Sequence, residues 1–272
     1  MHAGIITKNY NISFDNFVLE RDGGSTAYSA ISNGAKYFLR VIKPAFIDTA
    51  VDAVQVQAFL QYVLYDYIEG VESEPAQDAE KIGELIGKLH LIMNDYTGKL
   101  SKRDKQFYIG RYIDILHKKQ YKKVNEFEKY GESLWNKIKD LPRGYCHGDM
   151  YSGNIHKTPT GEFYILDFDT SCEGFAIYDL ALICNMTDYF TYDETRFEKT
   201  KTVFNRALNE YQKFNSISQA EINSLCNMIA VYHFALQATI IEIHGIDCVD
   251  STFLDNQLQW LWQDQGNKEL WL

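Results

Sequence analysis

The feature that most constrains this chain is a change of hydrophobic period near Tyr67: residues before it read mostly as short strands, residues after it mostly as helices. Phe17 to Glu20 and Lys36 to Lys43 are β-prone runs, with turn signals at Asp22-Gly23-Gly24-Ser25 and Asn33-Gly34 between such runs. Ala45 to Gln61 has Ile47, Val51, Val54 and Phe59 at roughly helical spacing and contains no Gly or Pro, so a helix is expected there. Phe59-Leu60-Gln61 then runs into Tyr62-Val63-Leu64-Tyr65 without a turn residue, which leaves no stretch for a further strand. Four strands are therefore expected, near 13–21, 25–32, 36–43 and 62–67.

Beyond Tyr67, Asp78 to Asn94 places Ile82, Leu85, Ile86, Leu89 and Met93 on one face. Thr191 with Glu194 and Ser218 with Glu221 have capping-box spacing and should each open a helix. The second run carries Ile222, Leu225, Cys226, Ile229, His233, Leu236 and Ile240 at helical spacing. His233 on that apolar face reads as a core histidine or, less simply, as a ligand. Lys118, Lys119, Lys122 and Lys123 fall in a helical-looking stretch and read as a solvated face or an anion patch.

Composition excludes several classes. A net charge of -10 over 272 residues opposes binding to a nucleic-acid backbone, and the 46% hydrophobic content supports a globular core. The five cysteines, Cys146, Cys172, Cys184, Cys226 and Cys248, are widely spaced and include no C-x-x-C pair, which suggests neither zinc nor a disulfide framework. The opening MHAGIITKNY has no targeting pattern, and the apolar stretch from Ala230 to Ile243 is broken by His233, Gln237 and Glu242. No membrane association and a cytoplasmic setting are expected.

One region departs from the helical pattern. Cys146-His147-Gly148-Asp149-Met150-Tyr151-Ser152-Gly153-Asn154-Ile155 is followed by Phe163-Tyr164-Ile165-Leu166-Asp167-Phe168-Asp169. His-Gly-Asp-x-x-x-x-Asn has the spacing of a kinase catalytic loop, and the Asp after an apolar run matches the metal-binding Asp that follows such a loop. Phosphoryl transfer needs a carboxylate at the acceptor hydroxyl and oxygen ligands that hold Mg²⁺ against the phosphates. Asp149 suits the first task, and Asn154 with Asp167 suits the second.

These strings, together with Tyr178-Asp179-Leu180-Ala181, resemble the aminoglycoside phosphotransferase and choline kinase-like family of small-molecule kinases. Tyr65-Asp66-Tyr67-Ile68-Glu69-Gly70 is similar to the family's hinge, and Gly83-Glu84-Leu85-Ile86-Gly87-Lys88-Leu89-His90 to the helix after it. The resemblance implies an α+β, protein-kinase-like two-lobed fold: a small antiparallel β lobe over 1–67, here shortened, and a larger, mainly helical lobe over 68–272. It implies ATP and Mg²⁺ as cofactors and a small hydroxyl-bearing substrate; the acidity of the chain suits a cationic substrate and equally suits plain solubility. His147 would brace the catalytic loop, and Asp179 would hydrogen-bond its backbone. Asp66, Tyr67 and Ile68 would hold adenine through main-chain groups. Gly23 and Gly24 would cover phosphate, or simply turn a hairpin. Asp169 would reach a second metal, or else point outward or brace the loop.

Two departures from the family stand out. Its third strand usually carries Lys, whereas Tyr37-Phe38-Leu39-Arg40-Val41 offers Arg40 on the face shared with Phe38 and Ile42. The following helix has no Glu partner, with Gln57 or Asp52 the nearest substitutes. Asp167-Phe168-Asp169 is not D-F-G and no A-P-E follows, which disfavours a protein kinase. Glu173, Asp188, Tyr189, Tyr192 and Asp193 could bind an amine, or could be an ordinary solvated helix start. The competing function is a catalytically inactive nucleotide-binding or scaffold protein, which ATP turnover would separate from an enzyme.

Overall fold

The computed structural model describes residues 13–22, 25–42, 62–188 and 193–267. The chain divides into two compact units, Met1–Glu69 and Gly70–Leu272.

In the first unit β1 (Asn16–Asp22), β2 (Ser25–Ser32), β3 (Ala35–Ile42) and β4 (Tyr62–Asp66) form an antiparallel sheet in the order β1-β2-β3-β4. Asn33 and Gly34 make the two-residue turn between β2 and β3, both at positive φ (49° and 79°), as a hairpin that follows strand twist requires. Leu39 is buried while its neighbours Phe38 and Arg40 are half-buried, the alternation expected of a strand with one covered face. The four strands lie close to the expected spans. Gly23, Gly24 and the expected helix over Ala45–Gln61, with Asp52 and Gln57, fall outside the described residues.

The second unit opens with β5 (Val71–Glu72) and α1 (Pro75–Met93), where Pro75 occupies a first-turn position that has no intrahelical N–H bond to lose. There follow β6 (Ser101–Lys102), a π-helical turn (Gln106–Gly110), α2 (Arg111–Lys118), α3 (Val124–Ile138) and β7 (Gly144–Cys146). Next come β8 (Ile155–Lys157), β9 (Phe163–Ile165), β10 (Cys172–Gly174) and α4 (Ile177–Cys184). The chain continues through α5 (Glu194–Tyr211), α6 (Gln219–Asn223), α7 (Leu225–His244) and α8 (Ser251–Asn267). Two three-stranded sheets, β5-β8-β9 and β6-β10-β7, carry the loops of interest: β7 to β8 encloses Asp149, and β9 to β10 encloses Asp167.

The core is helical and aromatic. α7 packs on α2, α3 and α4, and Phe234 at its centre meets Tyr112 edge-on and stacks on Tyr130. By length and composition α7 could cross a membrane, yet more than half of its apolar window is buried inside this unit. It is buried well beyond one stripe: Met228, Val231, Phe234, Ala235 and Ala238 join Leu225 and Ile229, while Cys226, Leu236 and Ile240 are only half-buried. His233 is a core residue packed against Trp260, ring centroids 4.3 Å apart.

Three local expectations are corrected. The second helical run is broken at Ser224: the Ser218–Glu221 capping box forms, but it caps only α6. The cap of α5 is Asp193, whose side chain accepts the Thr195 N–H, and Thr191 lies outside the described residues. The lysine run is not one helix. α2 ends at Lys118, Gln120 turns at φ 55°, Lys119 bonds the Ile246 carbonyl and Lys123 pairs with Asp255.

α1 lies along α5 at a separation that only a missing side chain permits: a Cβ on Gly83 would fall 2.0 Å from the Ala207 carbonyl oxygen. That oxygen is main chain and cannot swing aside. Gly83→Ala is therefore expected to cost about 1–3 kcal/mol through overpacking, against the roughly 1 kcal/mol that the same change gains in an unpacked helix. Urea unfolding reads the difference, and an unchanged or raised midpoint would show that the two helices can move apart.

Candidate active site

The loop after β7 is held by its backbone. The Asp179 carboxylate, on the first turn of α4 and 0% exposed, accepts the N–H of His147 at 2.6 Å and of Gly148 at 2.9 Å. It also meets His90 Nε2 at 3.0 Å, and His90 Nδ1 meets the Tyr211 hydroxyl at 2.9 Å. An imidazole protonated on Nε2 satisfies both bonds. Burial alone would push the Asp179 carboxyl up, but the His90 bond, the nearby His90 and His147 rings and the Gly148 N–H together hold it below the ordinary carboxylate range.

His147, also fully buried, directs Nε2 to the Leu166 carbonyl at 2.9 Å and so ties the first loop to the residue before Asp167. Thr170 Oγ1 donates to the His147 carbonyl at 2.7 Å, and Leu166 N–H donates to the Asn154 carbonyl at 2.8 Å. Asn154, on a 3₁₀ turn and buried, donates from Nδ2 to the Asp149 carbonyl at 2.7 Å and to Asp149 Oδ2 at 3.1 Å. Its amide nitrogen thus fixes the Asp149 side chain, and its carbonyl oxygen is the atom suited to a cation.

Asp167 sits in the left-handed region at φ 62°, a strained conformation for a residue with a side chain, at the start of the turn Phe168–Thr170. Burial raises the Asp149 carboxyl and the Asp167 charge adds to that; His147, Asn154 and Arg103 act in the opposite sense. Asp149, Asn154 and Asp167 are thus brought together, with His147 and Asp179 behind them. Asp169, on the same turn, is exposed.

The other residues expected to meet the nucleotide belong to the first unit or fall outside the described residues. Arg40 is half-buried on β3, paired in register with Ala27 and Val63. Asp66 ends β4, and Ile68 follows after Tyr67, whose N–H donates to the Lys36 carbonyl at 3.2 Å. The acidic residues that might have met an amine already have cationic partners. Lys102 pairs with Glu173 at 3.3 Å, and Arg196 pairs with Asp188 and, at 3.4 Å, with Asp193. Tyr189 and Tyr192 lie outside the described residues. Cys146 packs, its thiol donating to the Phe175 carbonyl at 2.9 Å and raised well above its usual range by burial.

Sequence reasoning missed His90, Tyr211, Thr170 and Arg103 as members of this frame. His90 could have been found: Ile82, Ile86 and His90 follow one another every four residues, and a histidine on a buried stripe needs a polar partner. Arg103 has no comparable signal.

Residues 35–211 match the profile of the phosphotransferase enzyme family, a span that holds both loops. Among curated relatives, an uncharacterised protein of Deinococcus radiodurans is 23% identical over 75% of this chain and 63% of its own length. A homoserine kinase of Rhodospirillum rubrum is 32% identical over 35% of this chain and 27% of its own length. A homoserine kinase of Agrobacterium fabrum is 22% identical over 77% of this chain and 78% of its own. The chain thus spans less than two thirds of the length of the first two relatives. Among solved structures, an amicoumacin kinase in complex with AMP-PNP, Ca²⁺ and Ami superposes with a TM-score of 0.71 at 13% identity, covering 98% of this chain and 94% of that one. A microcompartment-associated aminopropanol kinase gives 0.68 at 13% identity, covering 98% and 96%. At that identity the likeness speaks for the fold, which is α+β and protein-kinase-like. With the profile covering well over half of its length, the chain belongs to the phosphotransferase enzyme family.

Proposed function

We propose that this chain is an enzyme that transfers the γ-phosphate of ATP to a hydroxyl of a small molecule. The observation that carries the reading is the grouping of Asp149, Asn154 and Asp167 on two loops tied to each other by the His147–Leu166 and Leu166–Asn154 hydrogen bonds. In this reading Asp149 orients the acceptor hydroxyl and takes its proton, a role favoured by a carboxyl raised above its usual value by burial. Asn154 keeps the carboxylate in one orientation by its Nδ2 bond.

Asn154 and Asp167 would hold Mg²⁺. Their donors are one amide oxygen and one carboxylate, a sparse, hard-oxygen set that suits an ion completing its shell with phosphate and water. When bound, that ion supplies neutralisation of phosphate charge. Arg40 is proposed to grip phosphate, Gly23 and Gly24 to cover it, and Asp66, Tyr67 and Ile68 to hold adenine, which makes 1–67 the nucleotide lobe and 68–272 the catalytic lobe. A cytoplasmic setting, where ATP is held, goes with this activity.

The acceptor class is an amino alcohol, amino sugar or amino acid, by analogy with the homoserine, amicoumacin and aminopropanol kinases. A cationic preference rests on that analogy and not on Glu173, Asp188 or Asp193, which are already paired. The inactive-scaffold alternative is not favoured, because Asp149, Asn154 and Asp167 are all retained and grouped on the two loops.

An ATP-consumption screen with Mg²⁺ across amino sugars, amino alcohols and amino acids should find at least one acceptor that speeds ADP release; none across all three classes would refute the reading. Asp149→Asn should lower kcat by about 10²–10⁴-fold while AMP-PNP affinity stays within about threefold, since it removes proton acceptance and spares the phosphate contacts. Near-normal turnover would remove Asp149 from that role. Asp167→Ala should instead abolish the Mg²⁺ dependence of AMP-PNP affinity, measured by calorimetry at two metal concentrations; an unchanged dependence would move the metal elsewhere.

A further inference from the structure

Arg103 is a buried cation with its fork on the two loops that matter, and it belongs to no motif. It follows β6, and its own N–H donates to the Glu173 carbonyl on β10 at 3.0 Å, which anchors its backbone to the sheet. The residue is 9% exposed. Nη1 donates to the Gly148 carbonyl at 2.9 Å and Nη2 to the Thr170 carbonyl at 3.0 Å. The Gly148 carbonyl belongs to the peptide that carries the Asp149 N–H, and Thr170 lies three residues after Asp167. The guanidinium also lies over the Phe107 ring at 4.2 Å, and Arg143 bonds the Arg103 carbonyl.

Two features argue for a role in placement rather than in charge pairing. Both loop-directed bonds end on main-chain oxygens, which set where a backbone lies whatever its side chains do. The fork also sits directly against Gly148: a Cβ there would fall 2.5 Å from Nη1 and 2.7 Å from the Thr170 oxygen, in addition to the strain of φ 83°. The glycine of His147-Gly148-Asp149 therefore makes room for the Arg103 fork as well as for the turn.

We propose that Arg103 is a positioning residue for phosphoryl transfer, fixing the separation of the Asp149 and Asp167 loops by holding the carbonyls of Gly148 and Thr170 at once. The inference rests on the phosphotransferase reading. A planar guanidinium keeps its two donors at a set spacing, whereas the ammonium of lysine is a single point on a flexible stem. A loss of spacing of about 1 Å between reacting groups can cost about 10²-fold in rate, and binding of the nucleotide need not follow it.

The test compares wild type, Arg103→Lys, Arg103→Gln and Arg103→Met in ADP release from Mg-ATP, with water as the acceptor and rates divided by AMP-PNP sites counted calorimetrically. Arg103→Met and Arg103→Gln should lose about 10²-fold in kcat with KM for ATP within about threefold of wild type, and Arg103→Lys should recover about tenfold of that loss. A purely structural role would lower the melting temperature and the number of binding sites but leave kcat per site intact, and that result overturns the proposal. If Arg103→Met or Arg103→Gln does not fold, Arg103→Lys decides alone: kcat per site equal to wild type overturns the proposal, and an about tenfold loss at unchanged KM supports it. A wild-type chain that releases ADP no faster than Asp149→Asn with water and with every acceptor of the screen refutes the phosphotransferase reading and this inference with it, whereas active wild type with equally active Arg103 variants refutes only the latter.

Discussion

The candidate site depends on one buried carboxylate. Asp179 has no exposure to solvent, and a charge in that position is costly unless its oxygens are bonded. Three donors answer it: the main-chain N–H groups of His147 and Gly148, and the His90 ring. Because two of these are consecutive amides, the carboxylate does more than neutralise its own burial; it dictates the path of the peptide that leads into Asp149. Removing it would leave these buried donors without partners, at a cost of about 1–3 kcal/mol for each.

From that anchor the order spreads through bonds that end on main-chain carbonyls. His147 reaches the Leu166 carbonyl, Leu166 reaches the Asn154 carbonyl, Thr170 reaches the His147 carbonyl, and Arg103 spans Gly148 and Thr170. Such a lattice holds Asp167 in its left-handed conformation, where an isolated residue would not stay. It also leaves the Asp149 and Asn154 side chains with few degrees of freedom, which is what chemistry that relies on positioning requires.

The helices provide the platform. α4, every residue of which is buried, carries Asp179 from below the loops, and α7 packs against it. α1 delivers His90 from its last turn, and its close seating on α5 brings Tyr211 to the same imidazole. A helix-to-helix contact that only Gly83 allows is therefore continuous with the bonds that hold the catalytic-type loop.

The sequence by itself determined the strand-to-helix division, the four strand spans near the start, and the residue types of the loops, because these are written in local period, in turn residues and in spacing along one chain. Asn33-Gly34 could be read as a turn from two letters, and Asp149 and Asn154 from their separation of five. Where the helices break was less legible: Ser224 interrupts a continuous apolar pattern, and Asp193 rather than Thr191 caps α5, since caps depend on one local bond that several neighbouring residues could make. Glu173, Asp188 and Asp193 read equally as amine ligands or as a solvated helix start, and the cationic partners Lys102 and Arg196 appear only in the structure. Only the tertiary structure decided that His90, Arg103 and Tyr211 belong to the site. Their partners lie 89, 45 and 121 residues away, and a bond of that span leaves no periodicity in the chain from which it could be inferred.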